Sequence, residues 1–545
     1  HFDFSSTRKH QNLLSFFGDT DRDYKLFKVL AIKGLRKRYG KENITKKIYK
    51  RLAKELNTIR QMDYVAFFLV NWSIIHYAKR MGYYHVGRGS GANSIMAYLL
   101  GITDVDPIEL DLYFERFMNL YRANPPDFDI DFSSRDREDV TRYIFECFGS
   151  NKRAALIATY NTFKHSGAVR ELGKVFGLPK AEIDVLSNGK FDIEKIDSLQ
   201  LLVLKYSQLI IGIPNHLSVH SSGIIISEKP LHYFSATFMP PKGFPTVQFD
   251  MEIAEDVGLF KYDILGQRGL GKIKDTLSII KTNRPELPPI DIHNVKAFFA
   301  DPIINKKVSE AQCIGCFYVE SPAMRMLLRK LKVNTYLGLV AASSIIRPGV
   351  AKSGMMREYI LRHRDPERIK EGHPVMLDIM PETYGIMVYQ EDVIKVAHFF
   401  AGLTLGEADQ LRRGMSGKYR SREEFAKVKA KFISNCRKKG IEEKTIHEVW
   451  AQTESFAGYA FAKGHSASYA VESYQSLFLK TYYPLEYMVA VLNNGGGFYG
   501  IETYIHEARQ HGGIVHVPHI NISKKETIII GKNIYLGFGH LHSLD

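Results

Sequence analysis

The sequence predicts an α+β protein in which a sheet is interrupted by a helical insertion, resumes, and is followed by a long, mainly helical region. Three observations predict it. Pro125-Pro126-Asp127-Phe128-Asp129-Ile130-Asp131-Phe132 alternates acids with large apolar residues, the two-residue period of a strand. Leu259-Phe260-Lys261-Tyr262-Asp263-Ile264-Leu265-Gly266 alternates in the same way. Between them, residues 161–218 read as mainly helical, and from about Gly269 onward helical patterning dominates until short alternating segments appear between Val515 and Asp545.

The chain has 545 residues, enough for several cores and two to four domains. Its 74 Lys and Arg against 59 Asp and Glu leave a net charge of +15, which favours a polyanionic partner such as nucleic acid. Four cysteines make no disulfide framework and point to a reducing, cytoplasmic setting. Cys313-Ile314-Gly315-Cys316 has redox or half-zinc spacing, but no second Cys or His pair stands near it in sequence, so buried thiols are the simpler reading. No apolar run reaches the roughly 18 residues of a membrane span, and no signal peptide is evident. A chain that opens on His1 rather than Met reads as a segment or a trimmed piece of something longer.

Taken in order, residues 33–54 form a basic, helical stretch with Leu35, Ile44, Ile48 and Leu52 as its buried stripe, suited to a solvated face or to a nucleic-acid backbone. Asp63 to Lys79 reads as an apolar, aromatic-rich helix. It delivers the chain to Gly87-Arg88-Gly89-Ser90-Gly91, which runs into a helix over Ala92 to Leu100. Glycines let a backbone approach an anion, a helix start offers free N–H groups, and Arg88 and Ser90 add charge and a hydroxyl, so the turn has the outline of a phosphate cradle. It lacks the Lys-Ser/Thr ending of a P-loop and a ribose-binding acid, which excludes the ATPase and dinucleotide readings.

The acids follow. Along a strand Asp127, Asp129 and Asp131 line one face, roughly 6 to 7 Å apart from one to the next at Cα, while Phe128, Ile130 and Phe132 bury the other. Carboxylates so close repel unless a cation lies among them, and paired divalent ions are one answer. An edge strand whose acids deter pairing is the other. Gly167 to Leu172 and Ile193 to Ile210 are the clearer helical segments of the insertion, and His220 to Ser227 reads as a buried strand, with His220 a core or rim histidine. If the Lys261-Asp263 strand pairs beside the first, Asp263 becomes a third carboxylate and Lys261 a cation for a phosphate. Such a set suits two-metal nucleotidyl transfer, for which carboxylates are the hard oxygen donors that Mg²⁺ prefers. Later in the chain come Arg347-Pro348-Gly349, Tyr384 to Glu391, Leu411-Arg412-Arg413-Gly414-Met415 and Phe456 to Ser466, whose cations and aromatics suit triphosphate and template contact. Residues 493–500 form a glycine-rich turn.

GRGSGANSIMAYLLGITDVDP, FERF, PPDFDIDF, FKYDILG, IIRPG, YGIMVYQE, ADQLRRGM and FAGYAFAKGHSASYA together resemble, in order and over about residues 60–545, the alpha subunit of bacterial DNA polymerase III, the C-family polymerases. The resemblance implies a template-directed DNA polymerase of chromosomal replication that uses two Mg²⁺ ions, with primer–template DNA and dNTPs as substrates. It implies a nucleotidyltransferase-type, X-family-like palm with a mixed sheet over residues 1–159 and 219–268, an inserted helical thumb over 160–218, and helical fingers over 269–545. It marks Asp127, Asp129 and Asp263 as catalytic, metal-binding acids, with Asp131 in support. Arg88, Gly89, Ser90, Lys261, Arg412, Arg413 and His465 are implied as nucleotide contacts, and Arg347 and Lys463 as contacts to DNA or nucleotide.

Gly414 and Tyr318 stand where the family pattern leads one to expect Ala and Gln, and Cys313 and Cys316 are not family signatures. The amino-terminal phosphoesterase-like domain and the hairpin, clamp-binding and oligonucleotide-binding portions of the family are expected to lie outside this chain. Contacts with the sliding clamp and clamp loader would then belong to the full-length protein, and processivity would suffer without them. An error-prone paralogue, a template-independent nucleotidyl transferase and an inactive DNA-binding fragment are the alternatives. Dependence of the product on the template sequence separates the second of these from a polymerase, and Mg²⁺-dependent primer extension separates the third.

Overall fold

The computed structural model describes residues 16–119, 126–347, 354–415, 422–457, 462–495 and 497–541. Pro348, Gly349 and Gly458 to Phe461, singled out in sequence, lie outside the described residues. In chain order the first seven strands are β1 (His85–Arg88), β2 (Asp129–Ser133), β3 (Ala154–Thr162), β4 (Pro214–Ile226), β5 (Thr237–Phe238), β6 (Thr246–Val247) and β7 (Lys261–Gln267). The described chain divides into a smaller unit, Ile144–Tyr262, and a larger one that joins Leu13–Tyr143 to Asp263–Asp545. β7 opens with Lys261 and Tyr262 in the smaller unit and continues in the larger.

In the larger unit β1 pairs antiparallel with β2, and β2 pairs parallel with β7, so the sheet is mixed. The register sets Arg88 opposite Asp129 and Asp129 opposite Asp263. Behind the acids the alternation is realised as burial: Phe128, Ile130 and Phe132 are all buried. The Phe128 ring stacks on Phe67 at 5.6 Å and meets Phe68 and Phe117 at 5.2 and 5.0 Å. Phe67 and Phe68 come from the helix Val65–Arg80, so the aromatic helix predicted upstream is the floor under the acidic strand.

The basic stretch differs from its sequence reading. Rather than one helix it is two, Thr20–Tyr39 and Lys46–Gln61, parted at Gly40, whose φ of +71° only glycine adopts cheaply. Leu35, Ile48 and Leu52 are buried as expected, whereas Ile44 sits half-buried in the connection.

The carboxyl-terminal part of this unit is organised around the helix Lys463–Tyr482, which is buried on nearly every side, as a helix at the centre of a large core must be. Ser466 and the Tyr336–Ile345 helix meet through a Ser466–Ser344 hydroxyl pair at 2.7 Å, and the Tyr474 hydroxyl donates to Asn305 at 2.8 Å. Three further strands, β8 (Ile514–His516), β9 (Ile528–Ile530) and β10 (Asn533–Tyr535), form a small sheet with β10 in the middle.

The smaller unit has strand order β4-β3-β6-β5 and two cores. One core packs Ala155, Ile157, Ile225, Val247 and Phe249 along the sheet. The other gathers Val169, Leu178, Ile183, Leu186 and Val203 among the helices His165–Val175, Lys180–Ser187 and Ser198–Ile210. The helical insertion is shorter than residues 161–218, because β3 runs to Thr162 and β4 begins at Pro214. Pairing decides this where local propensity does not: Asn161 lies opposite His216, and its amide donates to Ser218 Oγ at 2.7 Å. Among the described residues no helix is long and apolar enough to cross a membrane.

Candidate functional site

Asp127 lies two residues before Asp129, the first residue of β2, and Asp263 sits across from Asp129 on β7. Each of the three offers a carboxylate oxygen within 4.8 Å of the others, and among the described residues no other group of His, Cys, Asp or Glu is so placed. Asp127 and Asp129 are half-buried and Asp263 is buried. Three like charges gathered at that spacing oppose their own assembly, and hard oxygen donors of this kind fit a divalent cation of the Mg²⁺, Mn²⁺ or Ca²⁺ class.

Arg88 reaches the acids from the neighbouring strand. Its Nη1 donates to Asp129 Oδ2 at 2.9 Å and its Nε to Asp131 Oδ2 at 3.0 Å. Burial works against its charge, but Asp131 and Asp129 outweigh burial and hold its pKa above the usual arginine range. Gly89 follows with φ +77°, and a Cβ there would stand 2.8 Å from Asp129 Oδ2, so the close approach of turn and acid requires glycine. The Ser90 hydroxyl donates to the backbone oxygen of Asp127 at 3.2 Å.

The helix beyond this turn does not offer the open end that its sequence suggests. Gly89–Asn93 is a short 3₁₀ turn, and the α-helix begins only at Ile95, capped by Ser94. Its first N–H groups are taken: Ile95 and Met96 donate to the Glu55 carboxylate at 3.0 and 3.1 Å, and Ala97 donates to Ser94 Oγ. A protein carboxylate therefore satisfies the positive helix end, and the anion-binding features that remain are Arg88, Gly89 and Ser90.

Asp131 points the same way as Asp129 but is engaged by protein groups. Arg88, the Gln267 amide at 3.2 Å and the Tyr469 hydroxyl at 3.3 Å all donate to its Oδ2. Burial raises its pKa, and those donors oppose the rise. Gln267 also donates to Glu472 at 2.9 Å, a fully buried carboxyl whose pKa is pushed well up by burial. Tyr469 further lies 5.8 Å below the Arg88 guanidinium and 4.4 Å from the His465 ring. His465 is pushed down to about 3, first by burial and then by Arg88, Arg347 and Arg116, so it is neutral at neutral pH. Arg347 donates to the Tyr318 hydroxyl at 2.9 Å, and the Tyr318 ring packs 5.0 Å from Tyr469.

Arg412, Arg413 and Lys463 sit in a second constellation. Asp409, buried, pairs with Arg412 at 2.8 Å and Arg413 at 3.2 Å, and Arg412 also donates to Gln390 at 3.2 Å. Lys463 is the first residue of its helix rather than part of a turn. Its ammonium donates to Glu382 at 2.7 Å, and its backbone N–H donates to Glu391 at 2.9 Å. Lys261 is the half-buried first residue of β7. Gly414 has a local reason, since a Cβ there would meet the Phe425 ring at 2.4 Å. Cys313 and Cys316 are buried, and burial pushes the Cys313 thiol up to about 12 and raises Cys316 as well.

Tyr469, Gln267 and Asp409 are absent from the sequence reading, although two of them left a signal. Tyr469 stands four residues after His465, and Asp409 stands three and four residues before the arginines, the spacings at which helix side chains meet. Gln267 left none.

Residues 25–266 match the family described as bacterial DNA polymerase III alpha NTPase domain, and residues 269–440 match the bacterial DNA polymerase III alpha subunit finger domain. An error-prone DNA polymerase of Symbiobacterium thermophilum is 34% identical over 89% of this chain and 45% of its own length. The DNA polymerase III subunit alpha of Aquifex aeolicus is 32% identical over 92% of this chain and 47% of its own, and that of Treponema pallidum 34% identical over 91% and 43%. The chain thus spans about half the length of these relatives. Two adjoining matches of one kind, together with relatives along nine-tenths of the chain, make it a member of the bacterial DNA polymerase III alpha family.

Proposed function

We propose that this chain carries the polymerising core of a bacterial DNA polymerase, adding deoxynucleoside monophosphates from dNTPs to a primer 3′-hydroxyl under the direction of a DNA template, in chromosomal replication. The observation that carries the reading is the meeting of Asp127, Asp129 and Asp263 within 4.8 Å across β2 and β7. Divalent cations, two Mg²⁺ ions in this reading, would be held by those carboxylates and would supply charge neutralisation at the triphosphate and a lowered pKa for the primer hydroxyl. Arg88 stands beside them as a guanidinium that can exchange a carboxylate for a phosphate, which its planar fork suits equally. Gly89 admits the triphosphate close to the backbone, and Ser90 and Lys261 add a hydroxyl and an ammonium. His465, neutral, presents an imidazole edge to the nucleotide without adding charge. Arg412, Arg413, Lys463 and Arg347 reach nucleotide or DNA on exchanging their present partners.

In the same reading residues 1–159 and 219–268 are the palm, 160–218 the thumb and 269–545 the fingers. The sliding clamp and clamp loader are partners of the longer protein. Relatives bear both the replicative and the error-prone name at 32 to 34% identity, and the replicative assignment follows the two family matches.

Primer extension with and without Mg²⁺, on templates of differing sequence, tests the proposal. Incorporation should require the metal and follow the template. Extension by an Asp129→Asn or Asp263→Asn variant at near the unmodified rate would overturn it.

A further inference from the structure

A cavity of about 630 Å³ opens in the larger unit where β2 and β7 end. Its wall includes Arg135, just past β2, Arg268, just past β7, and Lys525, Glu526 and His540 from the segments around β9 and β10. Ser134, which also lines it, is five residues along β2 from Asp129, about 17 Å at 3.3 Å per strand residue. The cavity is therefore separate from the three acids, at the other end of the same two strands.

Its charges do not balance. Arg135 is answered by Glu526 at 2.5 Å and by Asp275 at 3.9 Å. Arg268 and Lys525 are answered by no hydrogen bond or ion pair among the described residues, and no other acid lines the wall. Gly495, with φ +58°, borders the exposed Arg268, whose Nη1 lies 3.6 Å from the position a Cβ would take there. The opposite wall is fixed, since Asn494 donates to Asp275 at 2.7 Å and Asn493 is bonded both ways to Thr527. Leu492 and Tyr499 give it an apolar side. A volume in the range of small-ligand pockets, two unanswered cations and one apolar wall are the features of a nucleotide-sized anion site.

We propose that this cavity binds a diphosphate or triphosphate group, as free pyrophosphate or as the tail of a nucleotide, through Arg268 and Lys525. The site is separate from the polymerising centre, at the other end of β2 and β7.

Isothermal titration of the whole chain in the presence of a metal chelator tests it, first with pyrophosphate and then with a nucleoside triphosphate. Saturable binding should weaken about tenfold or more in the Arg268→Ala/Lys525→Ala variant, because each removed cation takes a charge-assisted hydrogen bond with it. It should persist in Arg268→Lys and in Arg88→Ala. Tighter binding of the nucleotide than of pyrophosphate assigns the apolar wall to the base and sugar, and equal binding assigns the site to pyrophosphate alone. Absence of binding, binding unchanged in the double variant, or binding lost in Arg88→Ala instead would overturn the proposal. Melting curves without ligand show whether the double variant folds; if it does not, Arg268→Gln and Lys525→Gln singly, both at exposed positions, carry the same test.

Discussion

Two clusters of acids and cations in the larger unit are built on opposite principles. Around Asp409 every cation has a carboxylate partner: two arginines share Asp409, and the Lys463 ammonium pairs with Glu382 while its backbone N–H donates to Glu391. Around Asp129 three carboxylates converge, and Arg88 is shared between Asp129 and Asp131. The first cluster pairs each cation with a carboxylate, whereas the second gathers like charges that the pairing of β2 with β7 brings together. The same residue types therefore make two different clusters, one in which cations share a carboxylate and one in which carboxylates share a cation.

Neutralising one acid in each cluster gives the sharpest test of that contrast. Asp263→Asn should reduce primer extension by about a thousandfold or more, since cation binding needs the charge, while urea denaturation shows stability unchanged or raised. Equal loss of both would merge the two clusters into one class. Asp409→Ala should do the reverse to stability, costing about 3 to 5 kcal/mol in the same denaturation experiment, because two arginines are left with an unanswered buried charge.

A smaller effect is expected at a neutral neighbour of the Asp129 cluster. Tyr469→Phe removes one donor to Asp131 and should cost about 1 kcal/mol. Primer extension should fall through a raised KM for the nucleotide, because Asp131, which holds the Arg88 Nε, loses the Tyr469 hydroxyl while the ring beneath the guanidinium stays. A fall in kcat alone would place Tyr469 elsewhere in the reaction.

Another effect is a matter of pH. Folded His465 takes up a proton only near pH 3, whereas an unfolded histidine does so near 6.5. As pH falls through 6.5 the unfolded chain gains a proton that the folded chain does not, so this residue lowers stability progressively between those values. Denaturation of His465→Gln at pH 7 and pH 5 should show a shallower loss than the unmodified chain, and an identical slope would mean that the imidazole is protonated in the folded protein.

How much of this was legible beforehand follows from distance along the chain. Asp127, Asp129, Phe128 and Ile130 declare their faces through alternation alone, and Asp263 does so on its own strand. That Asp129 stands opposite both Arg88 and Asp263 is a matter of register, which alternation does not supply. Glu55 lies some 40 residues before the helix it caps, and a glycine-rich turn before a helix reads as an open anion site until that carboxylate is found. Gly40, by contrast, marked a helix break that the run of basic residues concealed. The counter-ion of the ADQLRRGM arginines, Asp409, stands within the same eight letters at helical spacing, and only the folded helix shows that it pairs with both.

The Glu55 cap also bears on how the chain is made. Synthesis runs from the amino terminus, so the carboxylate and the helix that carries it leave the ribosome about 40 residues ahead of the amides they will receive. When Ile95 and Met96 emerge, their acceptor is already waiting. β7, which carries Asp263, is still to be translated when that cap can form.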